Sequence, residues 1–392
     1  MKANLVAIKD CVVKAKTWNP VVEAKDETIT YIDIAAVDKD LKKIVEPTLC
    51  LGAEAPSRAR QLVQTNDVLV STVRPNLNSV AVVTEEFSGA TASTGYTVLR
   101  PLPEVLDTQY LFHWVKTGHF INEMIKLATG QSYPAVSDKI ILNSKIPLPP
   151  LAEQRRIASI LDQADVLRQK RQQAIEKLDQ LLQATFIDMF GDPVSNPKGW
   201  EKVKFEDEVE FLTGFAFKSA DFKDSGIKLC RGINVLPNTL DWNDTAYWNE
   251  KELEKYSRFK ILQNDILVAM DRPWISTGFK ITLVKENDPN MLLVQRVARL
   301  RVKESFGANF LFQILSMPEF KKHCRITETT VPHISPTDFK SFDLIKPDNH
   351  MIEKFEKIAK LINIQKDKMR DSEVQNDNLF ASLQTQAFNG TL

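Results

Sequence analysis

Apolar residues in this chain fall into strand-length runs and longer helical spacings, and the order of the two occurs twice. Residues 67–70 and 265–268 are short apolar runs, each opened by Asn-Asp and closed near Arg-Pro, which predicts two strands. The runs at 80–83 and 280–284 predict the strands that follow, so both Arg-Pro segments fall in loops between strands. Residues 109–127 and 309–324 carry helical spacing with one apolar face. A proline break comes next in each half, at Pro147, Pro149 and Pro150 and again at Pro347.

Beyond each break the pattern predicts one helix of roughly 35–40 residues. In the first, Ile157, Leu161, Ala164, Arg168, Arg171, Ile175, Leu178, Leu182, Thr185 and Met189 step by four and three, the spacing of a coiled-coil seam. In the second the stepping runs Ile358, Ile362, Gln365, Met369, Ser372, Asn376, Leu379, Leu383 and Gln386. Polar residues interrupt both seams, which weakens each helix alone and helps fix register when they pair. The expected pairing residues are Ile157, Leu161, Ile175, Leu178 and Leu182 against Ile358, Ile362, Met369, Leu379 and Leu383. Phe190-Gly191-Asp192-Pro193 supplies the glycine and proline that end a helix. An antiparallel pair of such helices, each spanning about 60 Å, would place globular parts at its two ends.

The repetition is of residues as well as of pattern. Residues 66–75 (N-D-V-L-V-S-T-V-R-P) and 264–273 (N-D-I-L-V-A-M-D-R-P) agree at six of ten positions at an offset of 198. Residues 31–37 match 229–235 loosely at that offset, as do Arg60 with Arg258 and Ser137 with Ser335. Residues 110–120 match 310–320 at 200, and Ile157-Ala158 matches Ile358-Ala359 at 201. Collinear matches with small drifts mean tandem duplication, and each copy is too long for a solenoid unit. The expected fold class is α+β with pseudo-two-fold internal duplication. Two similar α/β domains, 1–150 and 191–346, are separated by two long helices, 151–190 and 347–392, pairing as an antiparallel coiled coil.

Composition narrows the function. The 392 residues are 43% hydrophobic, enough for more than one core and against wholesale disorder. Lys+Arg and Asp+Glu both number 51, and each of the four segments lies within one charge of neutral. That excludes a polybasic coat for nucleic acid or membrane and implies a binder that leans on partners for its grip. No apolar run reaches the roughly 18 residues of a membrane span, and the first residues lack a signal-peptide core. Cys11, Cys50, Cys230 and Cys324 form no C-x-x-C pair, which disfavours a disulfide framework or zinc site and suits a cytoplasmic protein.

Enzyme signatures are missing. There is no Walker loop, dinucleotide fingerprint or H-E-x-x-H zinc helix, no Asn-Pro-Pro-Phe or Asp-Pro-Pro-Tyr segment, and glycine is sparse at 13. His113 and His119 are six apart, off the i,i+4 spacing of a helical metal pair. Asp221-Phe222-Lys223 and Asp338-Phe339-Lys340 have the D-x-K form of some nuclease sites without an upstream acidic partner. The chain reads as non-catalytic, with no cofactor or metal of its own.

Binding features are stronger. Arg74, Asn76 and Asn78 in one Arg-Pro loop, and Arg272, Trp274 and Ser276 in the other, offer donors and acceptors suited to base edges and phosphates. A turn whose arginine caps local carbonyls fits the same pattern. Asn78 and Trp274 differ between the copies and are the better candidates for selectivity. Gln131 and Tyr133, and His333 in the corresponding 330–333 segment, precede the matched serines. Arg58, Arg60, Arg258 and Lys260 lie upstream of the Asn-Asp strands. In residues 292–303 (L-L-V-Q-R-V-A-R-L-R-V-K), strand alternation puts Arg299 and Arg301 on one face with Gln295 and Lys303. That face is either a DNA-facing stripe or a solvated surface balanced by acids elsewhere.

Residues 147–193 (P-L-P-P-L-A-E-Q-R-R-I-A-S-I-L-D, then the helix and F-G-D-P) and the closing Q-A-F-N-G-T-L carry a family resemblance. With the duplicated plan and the N-D-[VI]-L-V strands, the chain looks over its full length like the specificity (S) subunit of type I restriction–modification systems. The resemblance implies that each domain is a target-recognition domain reading half of a bipartite site in double-stranded DNA. It also implies that the paired helices set the spacing and dock two methyltransferase subunits, with a restriction/translocase subunit joining them in phage defence. S-adenosylmethionine, ATP and Mg would then sit on the partner subunits. The start of the chain lacks the Gly199-Trp200 opening of the second copy, which leaves its first strand open. Two other classes stay in view: a stand-alone DNA-modifying or DNA-cleaving enzyme with duplicated domains, and a coiled-coil adaptor with no DNA role.

Overall fold

The computed structural model describes residues 4–303, 305–324 and 332–392. Its contacts divide the chain into two units, Met1–Gln172 with Asp371–Leu392, and Gln173–Arg370. Each unit therefore takes one globular half together with part of both long helices.

The first unit is built on a four-stranded antiparallel sheet in the order Val80–Val82, Val68–Ser71, Tyr96–Pro101, Val12–Lys14. The second has the same order: Ile281–Leu283, Ile266–Ala269, Val297–Val302, Val209–Thr213. In Val68–Ser71 and Ile266–Ala269 every position is buried, because both faces of these inner strands are covered. Val68 and Val70 enter the core formed with the helices, while Leu69 enters the core against a second sheet. Ile266 and Val268 divide from Leu267 and Ala269 in the same way. Each second sheet holds one parallel pair, Thr28–Ile32 with Thr91–Ser93, and Ile227–Cys230 with Met291–Leu293.

The opening strand is present in both copies. Asn4–Ala7 pairs with Lys145–Leu148 despite lacking Gly-Trp, as Glu201–Val203 pairs with Leu344–Lys346. Each of the two helical spacings divides into two helices. The breaks fall where Thr117 caps Gly118–Leu127 through the Phe120 amide (3.1 Å) and where Pro318 opens Pro318–His323.

The long helices are Leu151–Phe190 and Asn349–Asn389. In the first unit Ile157 and Leu161 pack with Leu383, Ala387 and Phe388, and in the second Leu182, Phe186 and Met189 pack with Ile352, Phe355 and Ile362. In each unit the early part of one helix meets the late part of the other, so the segments run antiparallel. The second seam departs from expectation in phase. Leu379 is 56% exposed and Phe380 packs in its place, while Lys366, buried and bonded to Asp179, takes the position expected of Gln365. The threes and fours alternate in the other order between Ile362 and Leu383, so the positions expected at Gln365 and Leu379 move by one while Met369 and Asn376 keep their places.

The family-like segments have mechanical explanations. Gly191, with φ of 77°, lets the first helix stop, Asp192 accepts from the Ser195 amide, and the Trp200 indole donates to the Phe190 carbonyl at 2.9 Å. Gln154, fully buried, donates to the Val105 and Pro149 carbonyls and accepts from the Asp107 amide, stitching the helix start to its domain.

Candidate nucleic-acid interface

The Asn-Asp motif turns out to hold the scaffold. Asp67 and Asp265 are essentially unexposed; each receives a two-pronged bond from an arginine on the neighbouring strand, Arg100 at 2.8 Å and Arg301 at 2.7–2.8 Å. Each aspartate also accepts from the backbone amide three residues upstream, at Gln64 and Leu262. The bidentate carboxylate bond raises the Arg100 and Arg301 pKa further.

The Arg-Pro loops lie at the opposite ends of those same strands. Arg74 and Arg272 both adopt the left-handed conformation, with φ of 51° and 45°, a strained state for a residue before proline. Each is held by its own amide, which donates to the carbonyl of Pro134 (2.7 Å) or Pro332 (2.8 Å). Those contacts bring the 130–135 and 332–335 segments onto the Arg-Pro loops. A turn between strands joins them: Thr72 donates to the Gly95 carbonyl and Met270 to the Arg296 carbonyl. Both units therefore gather three equivalent loops at one sheet end.

In the first unit Arg74 lies over the Tyr133 ring, 4.6 Å from its centroid, and Asn76, Gln131 and Tyr133 are exposed beside it. Arg58, also exposed, joins through its carbonyl, which accepts from Thr94, while Arg60 donates to the adjacent Ala59 carbonyl. In the second unit Arg272 and Ser276 are exposed, Trp274 stacks on Phe279 at 4.7 Å, and His333 bridges to Asp271. Thr330 and Val331 of that segment lie outside the described residues.

Several expected contacts belong elsewhere. Arg299 is 2% exposed; its guanidinium donates to the Arg258 and Lys260 carbonyls and to Glu210, so it braces the sheet. Arg301 is committed to Asp265, and Arg258 and Lys260 lie towards that end, away from Arg272. The 292–303 stretch is not one strand: Arg296, with φ of 67°, turns the chain between two sheets, so Gln295 does not share a face with Arg299. Asn78 is also occupied, donating to the Val115 carbonyl at 2.8 Å and accepting from Lys42 at 3.1 Å.

Four cations of the loop end were missed by sequence reasoning. Lys42 holds Asn78 by side chain and backbone, and burial, with Lys116 nearby, pulls its pKa down to about 8. Lys280 donates to the Gly232 carbonyl from a buried position, Arg231 pairs with Asp244 at 2.8 Å, and Arg296, 64% exposed, lies 3.7 Å from Asp271. Among the described residues no cluster of His, Cys, Asp or Glu could hold a metal ion, and no helix is long and apolar enough to cross a membrane.

The chain is thus a duplicated scaffold that presents matched loops with unlike exposed side chains. The family model for the type I restriction modification DNA specificity domain matches residues 57–177 and 197–369, and the chain belongs to that family. The MjaVIII type I restriction enzyme specificity subunit of Methanocaldococcus jannaschii is 30% identical over 283 residues, 67% of this chain and 66% of the relative. The EcoAI specificity subunit of Escherichia coli is 33% identical over 109 residues, 28% of this chain and 18% of the relative. The matched stretches thus span less than two thirds of these relatives' own lengths. Among solved structures, a chain from a type I restriction–modification system study has a TM-score of 0.56 at 22% identity, covering 99% of this chain and 98% of that one. The S subunit from M. genitalium gives 0.56 at 13% identity, covering 98% and 96%. These likenesses show the fold.

Proposed function

We propose that this chain is the non-catalytic, sequence-reading subunit of a type I restriction–modification complex, each unit reading one half of a bipartite site in double-stranded DNA. The observation that carries it is the recurrence of the left-handed Arg-Pro loop, docked on the same partner segment at the same sheet end in both units, with different exposed neighbours. Matched Arg74 and Arg272 suit a shared task such as phosphate contact, and unlike neighbours suit unlike half-sites. The near-neutral charge favours selectivity over bulk affinity, so two methyltransferase subunits and a restriction/translocase subunit would supply much of the grip. S-adenosylmethionine, ATP and Mg would be held by those partners, in the cytoplasm. The long helices would act as the spacer between half-sites and as the docking platform. The exposed apolar side chains outside the seam, Val166, Leu167, Leu181 and Leu361, support the docking role.

The test is methylation mapping in cells expressing the chain with its methyltransferase subunits. The expected site is split and asymmetric. Deleting a matched whole number of turns from both helices should shorten the spacer and leave both half-sites unchanged. A contiguous target, or half-sites that change with helix length, would refute the reading.

A further inference from the structure

The two loop clusters differ in one built feature. Between the ladder partners Val70 and Val80 lie nine residues, and between Val268 and Ile281 lie twelve. In the first unit the shorter connection forms a single tight turn, Pro75–Leu77. In the second, the longer connection forms a β-hairpin in which Trp274–Ile275 pairs with Gly278–Phe279.

The hairpin is stiffened at its base. The Trp274 and Phe279 rings lie 14° from parallel, and the Lys321 ammonium sits 5.7 Å from the indole centroid. Its outer residues are left free: Ile275 is 38% exposed, and Ser276 and Thr277 at the tip are exposed. Beside it, Pro318–His323 carries Lys321 and Lys322 in its last turn, the latter 76% exposed.

We propose that the 274–279 hairpin is a two-stranded ribbon that enters the major groove of one half-site. Ser276 and Thr277 read base edges, Ile275 meets a thymine methyl, and Lys321 and Lys322 hold the flanking phosphates. This rests on the DNA-reading function proposed above. The major groove, about 12 Å wide, admits a two-stranded β-ribbon, and hydroxyls and apolar side chains are among the contacts it rewards. A ribbon stiffened before binding loses little conformational entropy on insertion. The first unit, with no ribbon, reads its half-site with a turn, so the two halves are recognised by different devices.

The experiment uses the chain complexed with its methyltransferase subunits and a randomised duplex library. The triple variant I275A/S276A/T277A alters only exposed positions and leaves the Trp274–Phe279 brace in place. It should lose about tenfold or more discrimination at one half-site and none at the other. The K322A variant, which leaves Lys321 on the indole, should weaken binding to every sequence alike and reduce the salt dependence. Unchanged selectivity at both half-sites, or equal loss at both, in the triple variant would overturn this inference alone. So would a loss from K322A confined to particular sequences. No sequence-selective binding by the unsubstituted complex would overturn the functional reading and this inference with it.

Discussion

In the first unit the Arg-Pro loop is a tight turn pinned from below, with Asn78 donating to the Val115 carbonyl and Lys42 donating to Asn78. In the second the same stretch is longer, stands up as a hairpin, and is stiffened by aromatic stacking. At the other ends of the same strands the two units are nearly superimposable in chemistry, down to the aspartate, its arginine and the amide it caps. Similarity between the copies is therefore densest in the frame, and difference is densest at the loop end.

The largest effects should come from the frame and be equal in both units. Asp67→Ala and Asp265→Ala each leave an arginine without its buried partner, which costs about 3–5 kcal/mol. Urea denaturation with a local probe in each unit checks this, and a much smaller loss in one unit would break the equivalence. Phe186→Ala should cost a similar amount, about 3–5 kcal/mol, because its ring is fully buried among Phe190, Phe310 and Phe355.

Smaller effects should separate the units. Asn78→Ala removes one of the two acceptors of Lys42 and a donor to the Val115 carbonyl, a loss of about 1–3 kcal/mol, and should loosen the first unit only. Lys42 adds a pH dependence to the first unit, as burial of Lys280, which also lowers its pKa, adds one to the second. The folded pKa of Lys42, about 8, lies below its ordinary value of 10.5, so over that interval the unfolded chain holds more proton. Lys42 should therefore contribute stability that grows with pH from about 8 towards 10.5, and Lys42→Met should remove that contribution relative to the parent in paired pH-denaturation series. The smallest effect sharpens the helix register: Leu379→Ala, at an exposed position, should change stability by less than about 0.5 kcal/mol.

The strands, the long helices and the duplication were legible because each leaves a periodic or collinear trace. The site was half legible. Arg74 and Arg272 stood out through their shared Arg-Pro, and the segments holding Tyr133 and His333 did fall beside them. Arg299 and Arg301 misled because alternation assigns residues to a face without saying what covers it. Here the covering groups are Glu210, Asp265 and two carbonyls from residues distant in sequence. Lys42 was invisible for the same reason, since its partner is 36 residues away. The shifted seam had a local cause: buried Lys366 is tolerated only because Asp179 meets it, and a single helix's pattern does not contain its partner.

The aspartate–arginine clamp and the reading loops occupy opposite ends of the same short strands. Residues can accordingly be inserted, deleted or exchanged at the loop end while the ladder register and its buried charges are left alone, as the extra residues between Val268 and Ile281 illustrate. Under the proposed function, one half of a target could be revised while the other is kept. Grafting experiments can follow the same seam, cutting just inside the ladder partners.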